Sequence, residues 1–442
     1  MNITLEPGAA ALLDVLHAAG YAAYAVGGCI RDSLLGREAH DWDLCTSALP
    51  RQVVELFGAQ QCIPTGLQHG TVTIRYGGNL YETTTFRTEG SYTDGRHPDE
   101  VHFVPDVRED LARRDFTINA MAYNAEEGLI DPFGGQADLQ NGRLRAVGEP
   151  HQRFTEDALR ILRLYRFAAR FHFAIDPATA QAAQALAPHL DCVSVERIAE
   201  ELAKLLAAPQ PGPYLEPAVL AVVLPELSAQ ALEAAKPVVD ACPAGTENLP
   251  VRWAALLHSL GEAGTRKVLR RLRCSNACIE ETTVLIRESR PGVPVAFSSD
   301  TARAIPSPAL PPAAAGSHPS GQSSEKLPAR PPVDLTIYIR QLLGKYDLKT
   351  VQRLAALGAA LQPERAADFE QLSELADQLE ADGVCCRISQ LAVNGRDLMV
   401  AGIPAGPGLR RTLEGLLDGV IHARYPNERQ ALLAAAQQIS AY

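Results

Sequence analysis

The alternation of apolar and polar positions along the chain changes character near residue 150. Before that point, short β-type runs such as YAAYAV, GTVTIRY, NLYETTTF and EVHFV are punctuated by glycine and aspartate. From His151 onward, apolar residues recur at helical spacing over 153–171, 195–207, 250–273, 347–362 and 409–440. The pattern therefore predicts an α+β protein, with a small N-terminal sheet and helices followed by an all-helical remainder.

A second change in pattern lies between residues 301 and 333. This stretch is rich in Pro, Ala and Ser and has few large apolar residues, so it cannot bury a core of its own. We therefore expect a disordered insertion there, between helical segments at 216–300 and 334–442.

Length and composition set further bounds. With 442 residues, of which 46% are hydrophobic, the chain can bury a sizeable core and is expected to form two or more domains. It has no run of eighteen apolar residues and no signal-peptide pattern at its start, so we expect a cytoplasmic protein that does not contact a membrane. The nine cysteines include no CxxC pair, which favours reduced, mostly buried thiols over a zinc knuckle.

The formal net charge of -11 argues against a protein that coats nucleic acid indiscriminately. Arginine is nevertheless concentrated at residues 113–116 and 156–170. Any site for a polyanion is therefore expected near these two segments.

Two adjacent glycines follow the first predicted strand. Gly27 and Gly28 allow the backbone to approach a phosphate closely, the following helix aims amide N–H groups at it, and Arg31 adds a charged fork. An ordinary strand-to-helix turn explains two glycines at least as well, so this feature is weak by itself.

Three acids occupy places where a metal site can form. Asp41 and Asp43 would project from one face of a strand, and Glu82 lies on a threonine-rich strand that can run beside them. Such a set fits two-metal phosphoryl transfer, and its hard oxygen ligands favour Mg²⁺. An isolated Asp-x-Asp pair is more often a polar strand end or an Asx turn.

Two arginine-rich segments complete the candidate chemistry. Arg113 and Arg114 can bind triphosphate oxygens, and Asn119 can reach a ribose hydroxyl, although a solvated helix start is an equal alternative. The helical segment at 153–171 carries a polar band made of Asp157, Arg160, Arg163 and Arg166. Taken alone, this band is better explained as a salt-bridged helix face.

In this order, the segments resemble the class II CCA-adding tRNA nucleotidyltransferases and the related bacterial poly(A) polymerases. The resemblance rests on GGCIRDSLLG with DWD at 27–43, RRDFTINAMA at 113–122, DPFGG at 131–135 and EDALRILR at 156–163. It covers the chain from about residue 20 to the C terminus, apart from the Pro-rich stretch.

The resemblance implies template-independent addition of C, C and A to the 3′ end of tRNA from CTP and ATP. It implies that Asp41, Asp43 and Glu82 are catalytic and that Asp41 and Asp43 hold Mg²⁺. It further implies that Asp157 and Arg160 read the incoming base in place of a template. The residues implied to hold phosphates or orient the nucleotide are Gly28, Arg31, Arg114, Arg163 and Arg166.

The resemblance also implies an order of domains. These are a nucleotidyltransferase head at 1–150, a nucleotide-selecting neck at 151–215, a helical body at 216–300, the insertion at 301–333 and a helical tail at 334–442. The body and tail are expected to grip the acceptor arm and elbow of tRNA. The sequence leaves the oligomeric state open, including a homodimer.

Bacterial poly(A) polymerase is the nearest alternative, and an A-only or CC-only enzyme is the next. The tail sequence NGRDL with GIPAGPG and the acidic total favour the tRNA enzyme over poly(A) synthesis. The loop at 90–98 has the length expected of a complete CCA-adding enzyme, although His97 stands where many relatives have arginine. An inactive RNA-binding module would be expected to lack the three acids.

Overall fold

The computed structural model describes residues 3–89, 101–289 and 335–439, which form two compact units, Met1–Glu280 and Glu281–Tyr442. The expected loop at 90–98 and the expected insertion at 301–333 lie outside the described residues. The α+β class is confirmed, because the described strands lie in the first unit and the second unit is helical. The finer division into head, neck, body, insertion and tail remains a prediction.

Strands lie early in the first unit and fall close to the predicted β-type runs. They are β1 Ala23–Val26, β2 Leu44–Thr46, β3 Cys62–Gly66, β4 Thr71–Tyr76, β5 Asn79–Thr85, β6 Arg87–Glu89, β7 Val101–Phe103, β8 Ala122–Asn124, β9 Gly128–Ile130, β10 Arg143–Leu144 and β11 Ala174–Ile175. The main sheet has the order β3-β4-β5-β2-β1-β8-β9, in which β2 and β5 are parallel and the other neighbours antiparallel. This order sets the ends of β1, β2 and β5 side by side.

The central strands of this sheet are buried along their length. Every residue of β1 and β2 is buried, as expected for strands covered on both faces. Tyr24, Cys45, Phe86 and Leu111 share one apolar cluster with the residues packed against the sheet. Burying a side chain as large as Phe86 contributes about 1.5–3 kcal/mol, so this core fixes the strand ends that carry the polar motifs.

Helices make up most of the remaining first unit. They are α1 Pro7–Ala18, α2 Gly28–Leu34, α3 Pro50–Phe57, α4 Val107–Ala112, α5 Gly135–Gln140, α6 Pro150–Glu156, α7 Leu159–Phe171, α8 Pro177–Leu186, α9 Val195–Leu206, α10 Pro217–Val223, α11 Ala229–Ala241, α12 Leu249–Leu257, α13 Gly261–Arg271 and α14 Asn276–Glu288, which continues into the second unit. The segment predicted at 153–171 is broken at Asp157, whose backbone is extended with φ −141° and ψ 103°. Asp157 therefore lies between α6 and α7 and not within one continuous helix.

A buried arginine fastens the helices that follow α8. Arg252 of α12 is fully buried, and its guanidinium group donates to the carbonyl oxygens of Leu206, Ala208, Pro209, Cys242 and Pro243 at 2.7–3.1 Å. Because these carbonyls lie at the C-terminal ends of α9 and α11, a positive charge is favoured there. Arg252 thus has a structural role in the helical region.

The second unit is a set of helices around its own apolar core. They are α15 Leu335–Lys345, α16 Leu348–Leu361, α17 Ala366–Ala381, α18 Gly395–Val400, α19 Pro407–Ile421 and α20 Arg429–Ile439. Leu398, Leu416 and Leu432 bring α18, α19 and α20 together in one cluster. Arg340 has a structural role similar to that of Arg252, because it donates to the carbonyl oxygens of Ile421 and Cys385 at 3.1 and 2.9 Å.

The structure bears on two expectations from composition, which concern membrane helices and cysteines. Among the described residues, no helix is both long enough and apolar enough to cross a bilayer. The nine cysteines are free thiols and most of them are buried. The expectation that most of the thiols are buried is therefore confirmed, and their reduced state remains a prediction.

Candidate active site

A glycine turn connects β1 to α2. Gly27 has φ 80° and ψ −120°, a conformation that residues with a Cβ rarely adopt, and its amide donates to the carbonyl oxygen of Met121 at 3.1 Å. A Cβ atom on Gly27 would lie 2.9 Å from Nη1 of Arg114. Gly28, the predicted site residue, begins α2, and a Cβ there would make only an ordinary contact with Arg31. The strict requirement for glycine therefore falls on Gly27.

Two of the predicted acids occupy adjacent positions in the sheet. β2 and β5 pair in parallel with Leu44 opposite Thr83, so Asp43 and Glu82, the residues just before them, are neighbours. Leu44 and Thr83 are buried whereas Asp43 and Glu82 are exposed, as the alternation of side chains requires. Asp41 is also exposed, and β2 begins only after Asp43. We call Asp41, Asp43 and Glu82 the acid corner.

The acid corner carries more negative charge than its surroundings neutralise. Although Asp43 is exposed, partial burial by the surrounding protein is the largest cause that raises the pKa of its carboxyl group. The negative charges of Glu82 and Asp41 raise this pKa further, and the positive charge of Arg114 opposes them. An open site of this kind gains free energy when a cation binds.

The ability of the acid corner to hold a metal follows from its donor atoms. Within the described ranges, no group of three or more His, Cys, Asp and Glu side chains is arranged to hold a metal ion by itself. The acid corner offers carboxylate oxygens, which hard divalent cations prefer, and its excess negative charge fits such a cation. The chain can thus supply part of a coordination shell that substrate phosphates and water complete.

Arg114 is held between the glycine turn and a buried acid. Asp110 of α4 is fully buried, and its Oδ2 lies 3.5 Å from Nη2 of Arg114. The other carboxylate oxygen of Asp110 accepts a hydrogen bond from Nε of Arg113 at 2.9 Å. Because Arg114 also contacts the turn at Gly27 and acts on the charge of Asp43, Asp110 positions the arginine that lies between these two features.

A buried polar network joins α2, the RRDF segment and α7. Arg31 donates from Nη1 to Oδ1 of Asn119 at 2.6 Å, and Asn119 donates from Nδ2 to Oδ1 of Asp115 at 3.0 Å. The other oxygen of Asp115 accepts hydrogen bonds from Nε and Nη2 of Arg163 at 2.9 and 2.6 Å. Arg31 additionally donates to both carboxylate oxygens of Asp32. We call Arg31, Asn119, Asp115 and Arg163 the Asp115 junction.

The negative charge of Asp115 is compensated within the Asp115 junction. Burial acts to raise the pKa of the Asp115 carboxyl group, but the Arg163 guanidinium and the Asn119 amide together hold that pKa well below its ordinary value. On the next turn of α7, Nε of Arg166 lies 2.6 Å from the buried carboxylate of Glu201 on α9. The structure thus places Arg163 and Arg166 in ion pairs.

The predicted base-reading pair lies where α6 meets α7. Asp157 accepts a hydrogen bond from the amide two residues later at 3.0 Å and another from Nη2 of Arg197 at 3.1 Å. Arg160 is buried and donates to Oε2 of Glu156 at 2.8 Å and to the carbonyl oxygen of Arg113 at 3.0 Å. Arg160 therefore ties the helical region to the segment that carries the paired arginines.

The structure divides the predicted site residues into two neighbouring sets. The first set gathers around the ends of β1, β2 and β5 and consists of Gly28, Arg31, Asp41, Asp43, Glu82 and Arg114. The second set lies on or next to α7 and consists of Asp157, Arg160, Arg163 and Arg166. The Asp115 junction and the contact between Arg160 and the Arg113 carbonyl connect the two sets.

Several residues of the site were not among the sequence predictions. They are Asp110, Asp115, Glu156, Arg197 and Glu201. Glu201 could have been found, because it interrupts the apolar face of α9 formed by Ile198, Leu202 and Leu205. Asp110 precedes the paired arginines by one helical turn, which is also a readable signal. The pairing of Arg197 with Asp157 joins residues 40 apart and has no sequence signal.

Family models match three parts of the chain. Residues 23–145 match the Poly A polymerase head domain, and residues 172–230 match the probable RNA and SrmB-binding site of polymerase A. Residues 339–436 match the tRNA nucleotidyltransferase domain 2. The first two matches include the acid corner and the helices that follow α7.

Curated relatives are similar over almost the whole chain. The CCA-adding enzyme of Geobacillus thermodenitrificans is 35% identical over 96% of this chain and 94% of its own length. The CCA-adding enzyme of Lactiplantibacillus plantarum is 35% identical over 97% and 95% of the two chains.

Solved structures give the same result for the fold. The crystal structure of the Bacillus stearothermophilus CCA-adding enzyme in complex with CTP aligns with a TM-score of 0.74, at 30% identity and with 98% of both chains covered. A Thermotoga maritima CCA-adding enzyme complexed with tRNA shares the fold with a TM-score of 0.64, at 19% identity and with 97% and 94% covered.

Proposed function

This chain belongs to the family of the CCA-adding enzymes, and from that premise we propose that it completes the 3′ end of tRNA. It adds C, C and A from CTP and ATP without a nucleic-acid template and releases pyrophosphate. The observation that carries this function is the similarity to CCA-adding enzymes over nearly the entire chain. Because the proposed substrate is tRNA, the protein must be present where tRNA is found. We therefore propose that it is cytoplasmic.

The first set of site residues is proposed to hold the reacting groups. The backbone at Gly27 and Gly28 can approach the triphosphate closely, and Arg114 stands beside that turn with its guanidinium fixed by Asp110. Its fork can bind phosphate oxygens while its charge offsets part of the charge of Asp43. These residues thus bring the nucleotide next to the acid corner.

We propose that Asp41 and Asp43, with Glu82 beside them, bind divalent cations during catalysis. Mg²⁺ is the proposed ion because the donors are carboxylate oxygens. When bound, the cations favour ionisation of the RNA 3′-hydroxyl and neutralise charge on the leaving pyrophosphate. The protein itself holds the three carboxylates close together, where they repel one another. Binding of a cation relieves this repulsion.

Selection of the nucleotide is proposed to fall to Asp157 and Arg160. A carboxylate and a guanidinium group can match the hydrogen-bonding edges of cytosine and adenine and leave those of uracil and guanine unsatisfied. Arg163 and Arg166 are proposed to hold phosphates or orient the nucleotide, from positions on α7 where each is in an ion pair, with Asp115 and Glu201 respectively. The second unit is proposed to contact the tRNA substrate.

The test is incorporation onto a tRNA that lacks its 3′ CCA. The tRNA is incubated with Mg²⁺ and each nucleoside triphosphate alone, then with CTP and ATP together, and the products are separated on a sequencing gel. We expect addition of C and C with CTP alone and completion of C, C and A with both nucleotides. A tRNA that already ends in CCA serves as the control and should not be extended.

The other outcomes separate the alternatives. A long tail of A would assign the chain to poly(A) synthesis, and a product that stops after C and C would identify a partial enzyme. Absence of any addition would contradict the proposal and favour an RNA-binding protein without activity.

A further inference from the structure

Three guanidinium groups lie around one aromatic ring beside α2. The Cζ atoms of Arg31, Arg37 and Arg170 lie 4.9, 5.2 and 5.1 Å from the centre of the Phe171 ring. Arg31 belongs to α2, Arg37 follows it, and Arg170 lies on α7. We call these four residues the Phe171 cluster.

Positive charge in the Phe171 cluster exceeds the negative charge around it. Asp32 accepts two hydrogen bonds from Arg31 and lies 3.6 Å from Nη2 of Arg170. Within the part of the chain that the structure describes, no ion pair joins Arg37 to an acid. One carboxylate therefore faces three guanidinium groups.

This arrangement is costly without an anion. Burial lowers the pKa of Arg170, and the charges of Arg31 and Arg37 lower it further, with Asp32 opposing them. Cation–π contacts with Phe171 offset part of the repulsion. Because Arg37 and Arg170 are both exposed, a phosphate in solution can reach them and offset the rest.

The Phe171 cluster extends from the glycine turn toward the acid corner. Nη2 of Arg31 lies 3.6 Å from the position of a Cβ atom on Gly28, so Arg31 is next to the turn. Arg37 instead follows the last residue of α2, a helix that spans about 10 Å. Arg37 precedes Asp41 by a short stretch of chain that spans at most about 14 Å. Over this distance, a strand whose 3′ end lies at the acid corner can bring a phosphate to Arg37.

We propose that Arg37 and Arg170 bind a phosphodiester group of the tRNA acceptor strand. The inference rests on the proposed function, because that function brings the 3′ end of an RNA to the acid corner. The two exposed forks supply bidentate donors to phosphate oxygens. The guanidinium group of Arg31 already donates hydrogen bonds to Asp32 and Asn119, so Arg31 contributes positive charge near the phosphate without binding it directly.

The first measurement is equilibrium binding of tRNA lacking CCA, without nucleotides, at several salt concentrations. Replacement of Arg37 or Arg170 by glutamine is expected to lower the slope of log K against log salt by about 0.7–0.9 each. The tRNA affinity at a fixed salt concentration should fall several-fold. Arg51→Gln is the matched control, because Arg51 is an exposed arginine on α3 of the same unit, and its slope should equal that of the wild type.

Steady-state kinetics then distinguish the source of the phosphate. The KM for tRNA should rise in the two variants, and the KM for CTP should remain unchanged. A raised KM for CTP with unchanged tRNA binding would assign the cluster to the nucleotide. Variants that behave like Arg51→Gln would show that the cluster only packs around Phe171. Either result would overturn the proposal.

Two further points keep the test decisive. If Arg170→Gln lowers the melting temperature, Arg37→Gln decides the question, because Arg37 is exposed and outside any ion pair of the described residues. The variants Arg37→Lys and Arg170→Lys keep the charge and should retain most of the salt dependence. The salt slope is measured without catalysis, so a wild-type protein that binds tRNA but adds no nucleotide would contradict the proposed function and not this site.

Discussion

The acid corner and the Asp115 junction lie in the same unit and both contain aspartate, but the pKa of the aspartate is shifted in opposite directions. At the acid corner, burial and the neighbouring acids raise the pKa of Asp43. In the junction, Arg163 and Asn119 hold the pKa of Asp115 below its ordinary value, although that carboxyl group is more deeply buried. The difference lies in the partners and not in the depth of burial.

This contrast separates residues that await a ligand from residues that hold the site in shape. A carboxylate with its hydrogen bonds and charge satisfied inside the protein gains little from a cation. A crowded, exposed group of carboxylates gains much. The Phe171 cluster has an excess of positive charge, since its guanidinium groups outnumber the acids around them. It should therefore gain free energy from an anion, as the acid corner does from a cation.

The largest expected effect is that of Asp43→Asn on catalysis. Loss of one carboxylate should lower the rate of incorporation by about 10³-fold, since cation-based charge stabilisation is worth several kcal/mol. Because the folded protein raises the pKa of Asp43 above its value in the unfolded chain, the negative charge of Asp43 lowers the free energy of unfolding at neutral pH. The variant should therefore melt at a higher temperature than the wild type in the absence of divalent ions. Single-turnover kinetics and thermal melts measure the two effects.

The control for Asp43→Asn is Asp14→Asn, which removes an exposed acid from α1 of the same unit. It should leave both the rate and the melting temperature unchanged. Retained activity in Asp43→Asn would remove the acid corner from the mechanism, and a lowered melting temperature would contradict the electrostatic contrast.

The next largest effect is that of Asp115→Asn on stability. The substitution breaks a buried ion pair, which typically costs about 3–5 kcal/mol. Because the pKa of Asp115 is lower in the folded protein than in the unfolded chain, its contribution is complete above the unfolded value of about 3.9 and is lost as the pH falls below it. Urea unfolding at neutral pH and at progressively lower pH should show the difference between variant and wild type narrowing.

Asp106→Asn provides the comparison, since Asp106 is a partly exposed acid that caps α4. Its expected loss in stability is small, because asparagine caps a helix about as well as aspartate. If Asp115→Asn were no less stable than Asp106→Asn, the Asp115 junction would not stabilise the fold, and the contrast with the acid corner would fail.

A smaller effect is expected for Arg160→Ala, and it concerns selectivity. Hydrogen bonds to charged groups are worth about 1.5–3 kcal/mol, so discrimination of CTP and ATP against UTP and GTP should fall about tenfold to a hundredfold. Competition between nucleotides on the same tRNA measures this ratio. Arg153→Ala, which also removes an ion pair with Glu156, controls for the loss of that contact. Unchanged selectivity would contradict the proposed reading of the base.

The smallest effect is expected for Asp110→Asn, which should raise the KM for both nucleotides about tenfold. Asp110 acts through Arg114, and a single charge-assisted contact is worth about 1.4 kcal/mol or more. In a double-mutant cycle, the effect of Asp110→Asn should disappear when Arg114 is alanine. Equal effects in the two backgrounds would mean that Asp110 supports only the fold of α4.

The sequence pattern predicted much of the framework, for physical reasons that remain local. Apolar alternation located β1, β4, β5 and β7, and helical spacing located α9 and α16. The apolar pattern did not predict the break at Asp157, because the residues on both sides of it keep helical spacing. Only the backbone conformation of Asp157 ends α6. Gly27 was recognisable as part of a turn, but its requirement for glycine follows from its φ of 80° and ψ of −120°, which the two adjacent glycines do not specify by themselves.

Residue types and their order along the chain specify which chemical groups the protein can use. The order of its motifs gave the family, and the types and spacing of Asp41, Asp43, Arg114, Asp157 and Arg160 gave the candidate site, because recognition of phosphate and metal depends on residue type. Which charges are satisfied depends on the folded arrangement. Pairing between residues far apart in the chain neutralises Asp115, leaves Asp43 only partly compensated by Arg114, and leaves Arg37 outside any ion pair of the described residues. A pKa and a binding surface depend on distance in space, which residue spacing along a strand or helix does not specify.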